Sequence, residues 1–246
     1  MDRMLYVAMS GAKQIELAQA SNTHNLANVN TSGFRADLAA FRAMPVFGPG
    51  YPTRVYAMTE RAGVDLAPGS MTTTGRDLDV AVRGEGWIAV RAPDGGEAYT
   101  RRGDLRIGAN GQLETGDGLA VLGNGGPIAV PPAEKFEIAA DGTISIRPVG
   151  QSATALATVD RIKLVNPKAE DLVKGGDGHM RLRDGGVANP DVNVQLAAGS
   201  LESSNVNAVE ALVNMITLAR QFETQIKLMR SASENDAASA QMMRLG

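Results

Sequence analysis

His24–Phe34 reads HNLANVNTSGF and follows some twenty residues of helical pattern. Asn25, Asn28 and Asn30 are poor in a helix interior, because a short amide competes for backbone hydrogen bonds. Gly33 supplies a conformation that ends a helix cheaply. A second block, SSNVNAVEAL over 203–212, opens the last helical pattern of the chain. Both blocks stand where helix meets something else, and glycine usage says what that is. Of 28 glycines, 23 lie between Gly63 and Gly199, whereas only Gly11 falls in the first 30 residues and only Gly246 in the last 45. Glycine is costly in helices and useful in turns. The order is therefore helix, turn-rich β region, helix.

The first helix is predicted over about Arg3–Asn28, with Leu5, Ala8 or Met9, Ala12, Ile15, Gln19, Asn22 and Leu26 recurring every three or four residues. The face is narrow, mostly small, and contains amides. Charge is sparse around it (Asp2, Arg3, Lys13, Glu16), so several of its sides are expected to be contacted. The last helix is predicted from near Ser204 toward Met243, with Asn207 as N-cap and Glu210 as capping-box partner. Val209, Leu212, Ile216, Ala219, Phe222, Ile226 and Met229 make a near-heptad stripe, and Glu223 and Lys227 are spaced to pair. Two long terminal helices with apolar stripes point to a coiled coil, within the chain, between chains, or both.

Between them, 78–84, 86–92, 98–108, 119–123, 127–131, 135–140, 142–148 and 158–166 read as strands. Asp94-Gly95, Asn110-Gly111, Asp117-Gly118, Asn124-Gly125 and Asp141-Gly142 mark the turns. No βαβ rhythm appears, so this region is antiparallel. The fold class is α+β: N- and C-terminal helices forming a coiled-coil inner domain around a central antiparallel, mostly β domain. The expected divisions are 1–34 (inner helix and joint), 35–76 (linker arm and edge strands), 77–200 (β domain) and 201–246 (C-terminal inner helix).

Composition excludes several functions. Net charge is −3 with no basic block, and aromatics are 4 %, so nucleic acid is not an expected partner. The absence of cysteine removes disulfides, thiolate metal sites and cysteine nucleophiles. No secretory signal and no membrane span is expected. Gly84-Glu85-Gly86 follows a strand pattern but precedes another strand, where a dinucleotide site needs a helix. Gly175–His179 resembles a calcium repeat but occurs once, and reads better as a turn. His24 and His179 lie in different zones, and no catalytic triad or metal spacing assembles. Asp65, Asp77, Asp79, Glu85 and Asp104 are candidate acids for a carbohydrate-active enzyme by abundance alone. No cofactor is expected.

MDRMLYVAMSGAK followed by NLANVNTSGFRAD is similar to the N-terminal signature of the flagellar rod, hook and hook-associated axial proteins. GSLESSNVNAVEALVNMITLARQFETQIKLM is similar to their C-terminal signature. TTGRDLDVAVRGEGWIAV and the following GGEAYTRRGDLRIGANGQLETGDGLAVLGNGGPIAVP resemble the β core of the rod and hook members. The motifs occur in family order over most of the chain, and its length and N-terminal start fit the proximal-rod members best. Arg35 stands where many members carry lysine.

The resemblance implies a structural subunit of the flagellar basal-body rod, in the periplasm, whose terminal helices line the axial channel and whose β domain faces outward. It implies export without a cleavable signal, through the flagellar type III apparatus, and partnership with proximal and distal rod subunits. A distal-rod or hook subunit is the alternative within the family, and an extracellular β-domain enzyme or a secreted effector the alternative outside it. The residues expected to carry subunit interaction are Leu5, Ala12, Ile15, Asn25, Leu26, Asn28, Thr31, Gly33, Phe34, Asn205, Asn207, Val209, Leu212, Ile216, Arg220, Phe222 and Ile226. The asparagines are expected to bond neighbouring subunits at the joint.

Overall fold

The computed structural model describes residues 4–45, 47, 55–148, 150 and 156–244; within these, side chains 4 and 59–62 are not described. Among the described residues two α-helices, one short 3-10 helix (Ala169–Asp171) and eighteen strands follow one another. Helix α1 is Met4–Ala27 and α2 is Ala208–Arg244. The strands are β1 (Asp37–Pro45), β2 (Val55–Val64), β3 (Met71–Thr73), β4 (Val80–Arg83), β5 (Trp87–Arg91), β6 (Glu97–Thr100), β7 (Arg106–Ile107), β8 (Leu113–Glu114) and β9 (Leu122–Gly123). They continue as β10 (Gly126–Pro127), β11 (Ala133–Ile138), β12 (Thr143–Pro148), β13 (Ala157–Arg161), β14 (Leu164–Val165), β15 (Leu172–Lys174), β16 (Met180–Leu182), β17 (Gln195–Ala198) and β18 (Ser200–Glu202). Every pairing between them is antiparallel. The α+β architecture is as the sequence indicates.

The chain forms two compact units. One comprises Met1–Asn28, Ala36–Asp65 and Val206–Gly246; the other comprises Val29–Arg35 and Leu66–Asn205.

In the helical unit α1 and α2 pack together. The Asn22 amide donates to Ala211 O at 2.7 Å, and Gly11 faces Gln225, so the numbering runs in opposite senses and the pair is antiparallel. Ala8, Ala12, Ile15 and Ala18 are the buried positions of α1, spaced four, three and three as one helix face requires. Small residues there let the helices approach. At Gly11 an added Cβ would stand 3.3 Å from the Gln225 side chain. On α2 the buried positions are Ala211 and Ala232. The stripe expected from sequence is therefore split. Phe222, Ile226 and Met229 are half-buried, while Val209, Leu212 and Ile216 are exposed, because Ala211 takes the contact side of that turn. Asn207 is the N-cap: its Oδ1 accepts from Val209 N–H at 3.0 Å and Glu210 N–H at 3.3 Å.

Strands β1 and β2 form a long two-stranded ribbon from Asp37↔Val64 to Pro45↔Val55, with a bulge at Leu38/Ala39. The sequence reading had placed only a linker arm with edge strands here. The ribbon belongs to the helical unit, and α1 touches it through Ser10 Oγ, which donates to Ala57 O at 3.4 Å. No helix is long and apolar enough to cross a membrane among the described residues.

The β unit is built on a five-stranded sheet of order β14-β5-β6-β16-β15 and a three-stranded sheet β11-β12-β13, with two-stranded pairs around them. Trp87–Val90 of β5 is buried at every position, the mark of a strand covered on both faces. In β12 only Ile144 and Ile146 face inward, the period-two pattern of a strand with one wet face. Val80, Ile88, Leu105, Leu113, Val121 and Ile128 join them in one core. The single strand expected over 98–108 is broken. Gly103 lies so close to β4 that a Cβ would stand 1.6 Å from Val80 O, and the chain turns there. The short strands β15 to β18 had no counterpart in the sequence reading.

Candidate functional site

The asparagine-rich segment divides between the two units, and each half makes its own site. In the helical unit, Asn25 acts as a false strand partner. Its Nδ2 donates to Asp37 O at 2.9 Å and its Oδ1 accepts from Asp37 N–H at 2.8 Å, satisfying the first residue of β1. Asp37 also takes His24 Nδ1 at 2.8 Å; the carboxylate is buried and the imidazole half-exposed. Asn28 Nδ2 donates back to His24 O at 2.9 Å, closing the last turn of α1. Local chain contacts thus engage the amides of Asn25, Asn28 and Asn207, and Asn205 Nδ2 likewise donates to Ala67 O at 3.1 Å in the β unit.

In the β unit, Val29–Arg35 forms a strap fixed by Glu202 at the end of β18. Gly33 N–H donates to Glu202 O at 2.8 Å. Arg35 Nη2 donates to Glu202 Oε1 at 2.6 Å, Arg101 Nη1 to Oε2 at 3.1 Å, and Gly69 N–H to Oε1 at 2.8 Å. The side chains of Arg35, Arg101 and Glu202 are 2 %, 5 % and 1 % exposed. Arg101 also donates to Gly84 O at 2.5 Å. Both guanidinium groups lie by the Trp87 ring, at 5.5 Å for Arg101 and 6.0 Å for Arg35, a cation–π arrangement. Lys174 Nζ sits 4.0 Å from the Phe34 ring centre and donates to Arg35 O at 2.7 Å.

Two guanidinium groups share the Glu202 carboxylate. Burial pulls the Arg101 guanidinium below its ordinary value, Glu202 opposes that pull, and Arg35 adds to it. Arg35 Nε and Nη1 and Arg101 Nε lack hydrogen-bond partners among the described residues. Glu202 is the carboxylate that hydrogen-bonds both arginines, and the Glu85 charge adds a smaller favourable pull on Arg101. Gly33 holds φ +67°, and a Cβ there would stand 2.3 Å from the Arg101 carbonyl carbon, so the strap can lie flat only as glycine.

The remaining expected contact residues fall into groups. Ala12, Ile15, Gly33 and Phe34 are buried by the chain itself. Leu5, Leu26, Thr31, Phe222 and Ile226 are half-buried, and Arg220 is exposed. Around them the helical unit shows further exposed apolar side chains: Tyr6, Met9 and Leu17 on α1, Phe41 and Met44 on β1, and Val213 on α2. Sequence reading missed Arg101, Glu202, Trp87 and Lys174. One signal was present: Arg101-Arg102-Gly103 interrupts an otherwise strand-like run.

Of the carboxylates weighed for catalysis, Asp79 and Asp104 stand opposite each other across a β-bridge, and each is paired with its own arginine. Asp79 accepts from Thr74 Oγ1 at 2.7 Å and faces Arg76 at 3.3 Å, Asp104 is held by Arg102 at 2.7 and 3.0 Å, and Asp77 and Glu85 are exposed. No metal-holding group occurs among the described residues.

Two other acids are strongly shifted. Burial raises Asp117, but hydrogen bonds from His179 and Thr115 overcome it and hold the carboxyl at about 2. The Arg181 hydrogen bond holds Asp177 at about 2 as well. Folded values below the ordinary 3.8 mean that both stabilise the β unit above that pH, and that this contribution is lost as pH falls toward 2. After discounting for solvent, the loss is about 1 kcal/mol from each. Urea unfolding at successively lower pH should show it, and Asp117→Asn should remove part of the slope.

Comparison with known proteins gives two family matches. Residues 81–146 match the flagellar hook protein FlgE/F/G D1 domain, and residues 197–242 match the flagellar basal body rod FlgEFG protein C-terminal region. The chain is 43 % identical to the flagellar basal-body rod protein FlgF of Escherichia coli K12 and 42 % identical to that of Salmonella typhimurium LT2, each over the whole of both chains. It is 29 % identical to the flagellar basal-body rod protein FlgG of Bacillus subtilis 168, over 94 % of this chain and 96 % of the relative.

Proposed function

From the premise that the chain belongs to the FlgF family of flagellar basal-body rod proteins, we propose that its work is mechanical: it transmits torque along the proximal rod and its helices line the export channel. It is a structural, non-catalytic subunit of the basal body, placed outside the cytoplasm. Its partners in this reading are proximal and distal rod subunits, and the type III export apparatus during transit.

The observation that carries the reading is the exposed apolar surface of the helical unit. Val209, Leu212 and Ile216 on α2 are 71 %, 45 % and 54 % exposed, and Tyr6, Met9 and Leu17 on α1 are exposed as well. Large apolar side chains left in water on both helices of one unit are what an interaction surface would use. The β unit, by contrast, has a closed core and a strap locked by buried charge, as a body that bears load requires.

Quantitative mass spectrometry with antibody labelling of isolated hook–basal bodies tests the placement. A few copies near the inner-membrane end are expected. Many copies along the rod would make it a distal-rod subunit, and its absence from the particles would overturn the reading.

A further inference from the structure

The chain contains two Asn-Gly pairs, Asn110-Gly111 and Asn124-Gly125, and the fold treats them oppositely. Asn-Gly is the pair most open to attack by the backbone on its own side chain, because glycine leaves its amide nitrogen uncovered and its dihedrals free. At the first pair both reacting groups are held. Gly111 N–H donates to Gly108 O at 3.0 Å. Asn110 Oδ1 accepts from Gln112 N–H at 3.3 Å, and its Nδ2 donates to Gln112 Oε1 at 3.1 Å.

At the second pair neither is held. Asn124 and Gly125 are exposed in the turn between β9 and β10, and no hydrogen bond engages the Asn124 amide or Gly125 N–H among the described residues. A Cβ on Gly125 would meet nothing within 4 Å, so the backbone has room to move. The strands on either side are two residues each, closed by Gly123↔Gly126 and Leu122↔Pro127.

We propose that Asn124 is a spontaneous modification site, deamidating through a cyclic imide, and that Asn110 is shielded from the same reaction. The Gly125 amide nitrogen attacks Asn124 Cγ. A new N–C bond forms, the Cγ–Nδ2 bond breaks, and the nitrogen's proton goes to the departing amide, which leaves as ammonia. Water then adds to either imide carbonyl and opens the ring to aspartate or isoaspartate, with no change of oxidation state. Either product puts a new carboxylate in the cleft that Asn124 lines with Arg161, Lys163 and Asp191. The isoaspartate route also adds a backbone carbon to a turn that the Gly123↔Gly126 pairing closes.

The test is peptide mapping by mass spectrometry during incubation of the purified full-length protein at physiological temperature and mildly alkaline pH, with aspartate and isoaspartate resolved chromatographically. Asn124 is expected to convert at least about tenfold faster than Asn110, the factor set by the hydrogen bonds that must break at Asn110. In urea the two rates should converge, because the difference belongs to the fold. Asn124→Gln should abolish the signal in its peptide. Equal rates in the folded protein, faster conversion at Asn110, or a folded Asn124 that stays intact while the unfolded chain reacts would each overturn the proposal.

Discussion

Glu202→Gln is expected to destabilise the β unit by about 3–5 kcal/mol, because it leaves buried arginines without their shared counterion. Glu202 is 1 % exposed and spends its Oε1 on Arg35 and Gly69 and its Oε2 on Arg101. Glutamine keeps the shape but not the charge, and one of its two ends becomes a donor facing a donor. Burial already pulls the Arg101 guanidinium below its ordinary value, and the Arg35 charge beside it pulls the same way. The expected result is a large fall in the urea midpoint with an unchanged slope, read from Trp87 fluorescence, since that ring sits against both guanidinium groups. Replacing the whole triad by apolar residues of similar size should recover much of the loss, because no charge then has to be stripped of water. Arg35→Lys should cost less than Glu202→Gln: it keeps the charge and gives up the guanidinium fork. A loss below about 1 kcal/mol for Glu202→Gln would show that water reaches the cluster and screens it.

That cluster marks the limit of what could be read from the chain. Arg35 and Glu202 are 167 residues apart, and no local period connects them. Gly33 and Phe34 were recognisable as the place where the helix ends and a strap is fixed, but the partner that fixes them was not. The helices and their ends were legible because capping and spacing are local: Asn207 is the N-cap, and Ala12 and Ile15 lie on the buried face. The β1–β2 ribbon was hidden for the opposite reason. Its first strand is exposed at every position after Asp37, so burial imposes no alternation on its sequence. The strands β15 to β18 are three or four residues each, too short to show a period. The asparagines are expected from sequence to bond neighbouring subunits, whereas Asn25 within the chain turns inward to imitate a strand edge for Asp37, a use that depends on where the ribbon begins.

The second large effect belongs to α2, where two faces of one helix should separate folding from assembly. Ala211 and Ala232 are 5 % and 6 % exposed and belong to the pairing with α1. Val209, Leu212 and Ile216 point away from that pairing and remain exposed. Leu212→Asp or Ile216→Asp should therefore leave the purified protein's stability within about 0.5 kcal/mol, as surface changes do. In the rod the same charge would have to be buried against a neighbour without a partner, forfeiting about 1.5–3 kcal/mol of apolar burial and adding the cost of desolvation. On the proposed reading the expected outcome is loss of motility, with the variant absent from isolated basal bodies but present in the cell at normal levels. Ala211→Asp should behave differently: a charge between α1 and α2 disturbs the helical unit itself and should lower its helicity by circular dichroism before any assembly. Normal swimming by the Leu212 and Ile216 variants would mean that this face of α2 meets only water in the rod, and the contacts would then have to be sought on the exposed side of α1 and on the β1–β2 ribbon.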